Sequence, residues 1–293
     1  MPEREDVFDG FEESIRARPD SNPWLLDETT GAATYLPDHE LLETLVGIPV
    51  GEGRGSESGR LAKAIDAWVA FELRRCGFPP DEVWPRLTKP RVLPRELGLY
   101  LEGLPTRLRE SAYDQVLRNK KAAPSDARVL GRAYVKQVDV LVAQWSRGPE
   151  LLISTKSMVS SFRNNLPNRF EESYGDAKNL RGRYPLVSMG FLFVLRATIL
   201  TESSGTFEKA IDMLRKLREE NDVYDSTCVV LADWSDDSFA GITLRQDAVP
   251  ADLRTDAFVA TLVDRVLERT PVEMHVEVRQ RREHRKLTLD EEE

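Results

Sequence analysis

Two apolar runs separated by a short turn constrain this chain most. "RVLGRAYVKQVDVLVAQW" is rich in valine and alternates, and after "SRGP" the run "ELLISTK" carries Leu151, Leu152 and Ile153 in succession. Adjacent strands joined by a tight turn are the natural expectation. Asp139 sits among the valines of the first run, and Lys156 closes the second. An isolated charge near a core is costly unless an opposite charge meets it. A hairpin brings these two toward one end of a sheet. By the period of two along a strand, Ser154 shares the face of Lys156, and Gln137 shares that of Asp139.

Around this hairpin the pattern alternates between helix and strand. The first fifty residues mix short apolar patches with Pro and Gly and predict short helices packed on a larger body. "GEGRGSESGR", Gly51 to Arg60, lacks both the Gly-Lys-Ser/Thr of a phosphate loop and the third glycine of a dinucleotide fingerprint, which leaves a flexible loop. Leu61, Ile65, Trp68, Val69 and Leu73 mark an amphipathic helix over 61–75 that ends at Gly77. The Pro- and Arg-rich segment that follows predicts short helices and loops of an insertion. Further on, a helix is expected over about 159–178, a strand or helix at "GFLFVLRATIL", and a helix at "TFEKAIDMLRKLREE" with Thr206 as N-cap. "STCVVLADW" predicts a buried strand, "ADLRTDAFVATLVDRVLER" a helix and "VEMHVEV" a closing strand. The fold class is α/β, a central mixed sheet flanked by helices.

No apolar run reaches the length of a membrane span, and the acidic N-terminus carries no signal-peptide hydrophobic stretch, so a cytoplasmic chain with no membrane partner is expected. Cys76 and Cys228, far apart in apolar surroundings, fit reduced structural thiols. His39, His275 and His284 have no Cys or His partner at metal-ligand spacing, which argues against a structural zinc. The net charge of −9 describes solubility better than any one surface. Locally, Arg118, Lys120, Lys121, Arg128, Arg132 and Lys136 face only Asp126, a candidate basic surface.

Beyond Lys156, the helix containing "LPNRFEES" supplies Arg169, Glu171 and Glu172. An acid on one strand, a lysine on the next and a carboxylate on the following helix can hold a divalent metal and orient water, chemistry suited to phosphodiester attack. "QVD", a short turn and "ELLISTK", preceded by the helix "LAKAIDAWVAFELRRCGF", together resemble the PD-(D/E)XK nuclease superfamily of restriction endonucleases and DNA repair enzymes. That resemblance covers roughly 61–77 and 131–234. Ser154 stands where the family usually has Asp or Glu. One branch of type II restriction endonucleases has a Ser-x-Lys variant with the carboxylate moved to the next helix, in the pattern Lys, twelve residues, Arg-x-x-Glu. Lys156, Arg169 and Glu172 fit it, with Glu171 an alternative donor.

The resemblance implies a restriction-endonuclease-like α/β core over 59–293, with a helical N-terminal extension over 1–58 and an insertion at about 79–127. It implies a Mg²⁺-dependent DNA endonuclease, with Mn²⁺ a possible substitute, acting in restriction or phage defence. Asp139 and Glu172 or Glu171 would be metal ligands, with the Thr155 carbonyl and the helix acid Asp66 as further candidates; Glu72 matches less well. Lys156 would orient the water. Arg163, Asn164, Asn165, Arg169, Lys178, Asn179, Arg181 and Arg183 follow the metal strand and are candidate DNA contacts, since Arg and Lys bind phosphates while Asn and Arg also read base edges. Cutting both strands of a duplex suggests a homodimer. Two other readings share these residues: an inactive nuclease scaffold that binds nucleic acid or assembles a defence complex, and an enzyme acting on RNA or branched DNA.

Overall fold

A computed structural model describes residues 6–53, 59–237 and 239–286. Residues 54–58 of the glycine- and serine-rich loop expected over Gly51 to Arg60 therefore lie outside the described residues. In chain order the helices are α1 (Glu12–Arg16), α2 (His39–Gly51), α3 (Arg60–Arg75), α4 (Arg95–Gly103), α5 (Thr106–Arg118), α6 (Phe162–Arg181), α7 (Ile199–Glu202), α8 (Ser204–Glu219), α9 (Thr255–Glu268) and α10 (Val276–Glu283). The strands are β1 (Trp24–Leu26), β2 (Ala33–Tyr35), β3 (Val83–Trp84), β4 (Ala127–Leu130), β5 (Val135–Val138), β6 (Val140–Gln144), β7 (Gly148–Met158), β8 (Ser188–Arg196), β9 (Ser226–Asp233) and β10 (Thr243–Leu244).

Six strands form one mixed sheet in the order β10-β9-β8-β7-β6-β3, with β7, β8 and β9 parallel and the other pairings antiparallel. The α/β class and the β6–β7 hairpin are as expected, and "GFLFVLRATIL" resolves into β8 followed by α7. Alternation along each strand divides the core between two faces. Leu151 and Ile153, Leu192 and Val194, and Val230 point to one side, with α2, α3 and α9. Leu152, Phe191 and Phe193, and Leu231 point to the other, with α6 and α8. Both faces of the parallel strands are covered, which is why β8 and β9 are almost continuously apolar.

Parity then decides where the polar residues of β7 go. Thr155 has the parity of Leu151 and Ile153 and faces α3; Ser154 and Lys156 have the parity of Leu152 and face α6. Helix α3 ends where Gly77 takes φ +103°, beneath the backbone of Glu277 and Val278.

Five local expectations change. The run over 128–145 is not one strand but β4, β5 and β6, with β4 and β5 in a sheet of their own, because the turn at 131–134 and Asp139 interrupt it. The first fifty residues contain the β1–β2 hairpin as well as helices, and Phe11, Trp24, Tyr35 and Leu45 share the core of the α3 face. The Pro- and Arg-rich segment contributes β3, which pairs with β6 at a sheet edge. Thr206 lies buried inside α8, which begins at Ser204, and is not its cap. "VEMHVEV" is not a strand but leads into α10: Val278 is buried while Val272 is exposed, so its alternation does not build a single apolar face. Arg279 of α10 donates to the carbonyls of Leu267, Thr270 and Pro271, satisfying acceptors left open at the end of α9. Among the described residues no helix is long and apolar enough to cross a membrane.

Candidate active site at the end of β6 and β7

Asp139 occupies the one-residue break between β5 and β6, just past the last β6–β7 pair, Val140 with Ile153. Its Oδ2 accepts the Thr155 N–H at 2.9 Å. A residue in a strand turns its N–H and C=O toward the same neighbour, so the Thr155 carbonyl also faces Asp139, where the β6 ladder has ended. The Thr155 hydroxyl donates to Asp66 Oδ1 of α3 at 2.5 Å. One residue of β7 thus ties together the acid of the hairpin and the acid of the first helix. Lys63, one turn before Asp66, donates to its Oδ2 at 3.2 Å and to Asp126 at 3.4 Å.

On the other face of β7, Lys156 Nζ donates to Glu172 Oε1 at 2.9 Å, and Arg169 Nη1 donates to Glu172 Oε2 at 2.9 Å. The spacing of Lys156, Arg169 and Glu172 therefore corresponds to a three-residue contact. Glu171, the alternative donor, is exposed and meets no cation among the described residues. Ser154 contacts Tyr224, whose hydroxyl donates to the Ser173 carbonyl of α6. Further along α6, Asp176 accepts from Tyr134 at 3.0 Å and pairs with Lys136.

These environments pull the carboxyls in different directions. Burial raises the Asp66 pKa, reinforced by the charge of Asp139 and opposed by Lys63 and Thr155. Burial likewise raises Asp139, against the Thr155 N–H and the charges of Lys156, Lys63 and Lys136. Burial also pushes Glu172 up, but its bonds to Lys156 and Arg169 outweigh this and hold it below the usual glutamate value.

A cleft of about 430 Å³ opens over Asp139, Thr155 and Lys156, with Asn165 and Arg169 of α6 on its wall. Of the other candidate contacts, Arg163 and Asn164 are exposed near the start of α6. Asn179 and Arg181 are buried and used internally. Asn179 holds the 131–134 turn through the N–H groups of Ala133 and Tyr134 and the Tyr134 carbonyl. Arg181 pairs with Asp225 at 2.6 Å. Lys178 bonds to the Asn221 carbonyl, and Arg183 is exposed at the far end of α6, beside the start of β7 and β8. Glu72 lies in a separate buried cluster with Tyr35 and Arg75. Lys63, Tyr134, Asp176 and Tyr224 also belong to this region and did not stand out in the sequence. Only Lys63 carried a signal, its place three residues before Asp66 on a helical face.

The donor set suits a hard cation, since Mg²⁺ takes one or two carboxylates and keeps several waters. Among the described residues Asp139 Oδ1 accepts no hydrogen bond, strand geometry turns the Thr155 carbonyl toward Asp139, and two neighbouring buried acids with raised pKa values would be relieved by positive charge. Asp66, Asp139 and Glu172 are nevertheless not gathered into a tight trio. Among the described residues only Glu82, Glu150 and His275 bring three potential ligand atoms within 4.8 Å of one another. That group sits at the opposite end of β7, and Arg95, Arg147 and His275 already engage all four of its carboxylate oxygens. Comparison of the chain with known protein families, with curated proteins and with solved structures finds no match.

Proposed function

We propose that the chain is a Mg²⁺-dependent endonuclease of the PD-(D/E)XK type that hydrolyses phosphodiester bonds in double-stranded DNA, acting in the cytoplasm as a restriction or phage-defence enzyme. The observation that carries this reading is the contact of Lys156 with Glu172, itself bound to Arg169, beside a backbone amide that grips Asp139. Asp139 and the Thr155 carbonyl would hold the ion, with Asp66 behind them through Thr155. Bound there, the ion would polarise the phosphate and lower the pKa of a water.

The residues of the chain supply the rest. Lys156 orients the attacking water, which gives a proton to solvent as its oxygen bonds to phosphorus; one P–O ester bond breaks, and the leaving oxygen takes up a proton from solvent. Glu172 restrains Lys156 and would be a further candidate to hold the ion. Asn165 and Arg169 on the cleft wall, with Arg163 and Asn164 beyond, lie where a phosphate backbone would pass, and the start of a long helix also favours anions. Cutting both strands would be met most simply by two copies related by a two-fold axis.

The ion pairs on Glu172 favour a second reading, a scaffold that binds nucleic acid without cutting it. Calorimetric titration with Mn²⁺ separates the two. Binding by the wild type that disappears in Asp139→Ala supports the enzyme, and no metal binding by the wild type overturns it.

A further inference from the structure

We infer that the β4–β5 hairpin is a recognition ribbon that enters the major groove of the duplex beside the cut, with Arg128 and Gln137 reading base edges. This rests on the nuclease reading and adds how the substrate sequence is chosen.

The hairpin forms a two-stranded sheet of its own, outside the six-stranded one. Its register pairs Ala127 with Val138, Arg128 with Gln137, Val129 with Lys136 and Leu130 with Val135. Directly paired residues share a face, and successive pairs alternate. Ala127, Val129 and Val138 are buried, so that face seats the hairpin on the protein. The opposite face presents Arg128 beside Gln137 and Leu130 beside Val135, all exposed. Leu130 and Val135 keep 47% and 57% of their surface exposed there.

Two properties point this face at DNA. The first is chemical. Arg pairs bidentately with guanine and Gln with adenine in the major groove, and apolar side chains contact the thymine methyl. That groove is wide enough for a two-stranded ribbon. Arg132 at the turn adds positive charge, and the hairpin itself carries no acid. The second is position. Gln137 is two residues before Asp139, while Lys136 and Tyr134 anchor the hairpin to Asp176, one helical turn after Glu172. Asn179 clamps the turn, and Gly131 lies so close that a Cβ there would stand 2.2 Å from the Asn179 amide. The ribbon is thus fixed relative to the site, as a reading element must be.

The test selects duplexes from a randomised pool by binding in Ca²⁺ and, in parallel, maps cutting in Mg²⁺, for the full chain and for Arg128→Ala and Gln137→Ala. The expected wild-type profile prefers defined bases near the cut. Each substitution should flatten one base pair of that preference, by roughly 5- to 150-fold, without changing the melting temperature. Replacing the preferred purine by its 7-deaza analogue, which removes a major-groove acceptor, should weaken the wild type and leave the matching variant unaffected. A wild-type preference that both variants retain, or no wild-type preference at all, overturns the ribbon while cutting upholds the nuclease. Binding and cutting of no duplex overturns both.

Discussion

In the proposed mechanism Lys156 is the side chain on which the chemistry turns, and its neighbours define what substitution should do. Lys156→Ala would remove the proposed water-orienting cation and release Glu172 Oε1, leaving Oε2 on Arg169, so cleavage should fall on the order of 10²- to 10³-fold, the loss typical of one electrostatic stabiliser. Gel quantification of plasmid cutting measures it. Glu172→Ala should show a comparable loss, whereas Glu171→Ala, at an exposed position away from the cations, should cut like the wild type; equal losses would contradict the assignment of Glu172. At this scale the sequence was informative because Lys156, Arg169 and Glu172 are separated by fixed strand and helix spacings. The tie between Thr155, Asp139 and Asp66 was less legible, because it depends on a β-strand amide and a helix face meeting in space. Nor did spacing alone say that Asn179 and Arg181 would be buried, since helix α6 presents polar residues to the hairpin and to Asp225 as well as to solvent.

Helix α6 joins the site to the rest of the protein, and its far end carries its main electrostatic anchor. Asp225 accepts from the Met189 N–H and pairs with Arg181 and Arg269. Burial raises its pKa, but the two guanidiniums outweigh this and hold the carboxyl below the ordinary aspartate value. A depressed folded-state pKa contributes stability that is present above the unfolded value, near pH 4, and lost as pH falls through the folded one. Asp225→Ala should therefore destabilise the protein at neutral pH by about 3–5 kcal/mol, because it strands the buried Arg181. Denaturant melts at pH 7 and pH 3 measure this, and the gap between variant and wild type should narrow in acid. Strands β6 to β9 and helices α3, α6, α8 and α9 were visible in the sequence because each has one strong period. "VEMHVEV" misled because alternation over a few residues does not require a strand when the chain beyond it caps a helix and pairs with carboxylates. The β4–β5 hairpin lay inside what looked like one long strand: Gly131 marks its turn, but Asp139 separates β5 from β6 with no glycine or proline to mark that second break.

The whole molecule carries a net charge of −9, so the proposed attraction to DNA would have to come from a local surface rather than from the total. In the proposed complex, Arg163 and Asn164 near the start of α6, Arg169 in the cleft and Arg128 on the ribbon would supply such a surface. Binding should weaken steeply with salt, and Arg163→Ala should reduce the slope of log K against log salt by about 1 if it neutralises one phosphate. Fluorescence anisotropy across a salt series gives that slope, and an unchanged slope would remove Arg163 from the interface. The most direct measurement of the central claim is the cutting of plasmid DNAs of varied sequence and modification by the purified protein in Mg²⁺, beside Asp139→Ala and Lys156→Ala. Metal-dependent cleavage by the wild type that both substitutions abolish is the predicted result. DNA left intact by the wild type, or cut equally by the variants, would contradict it.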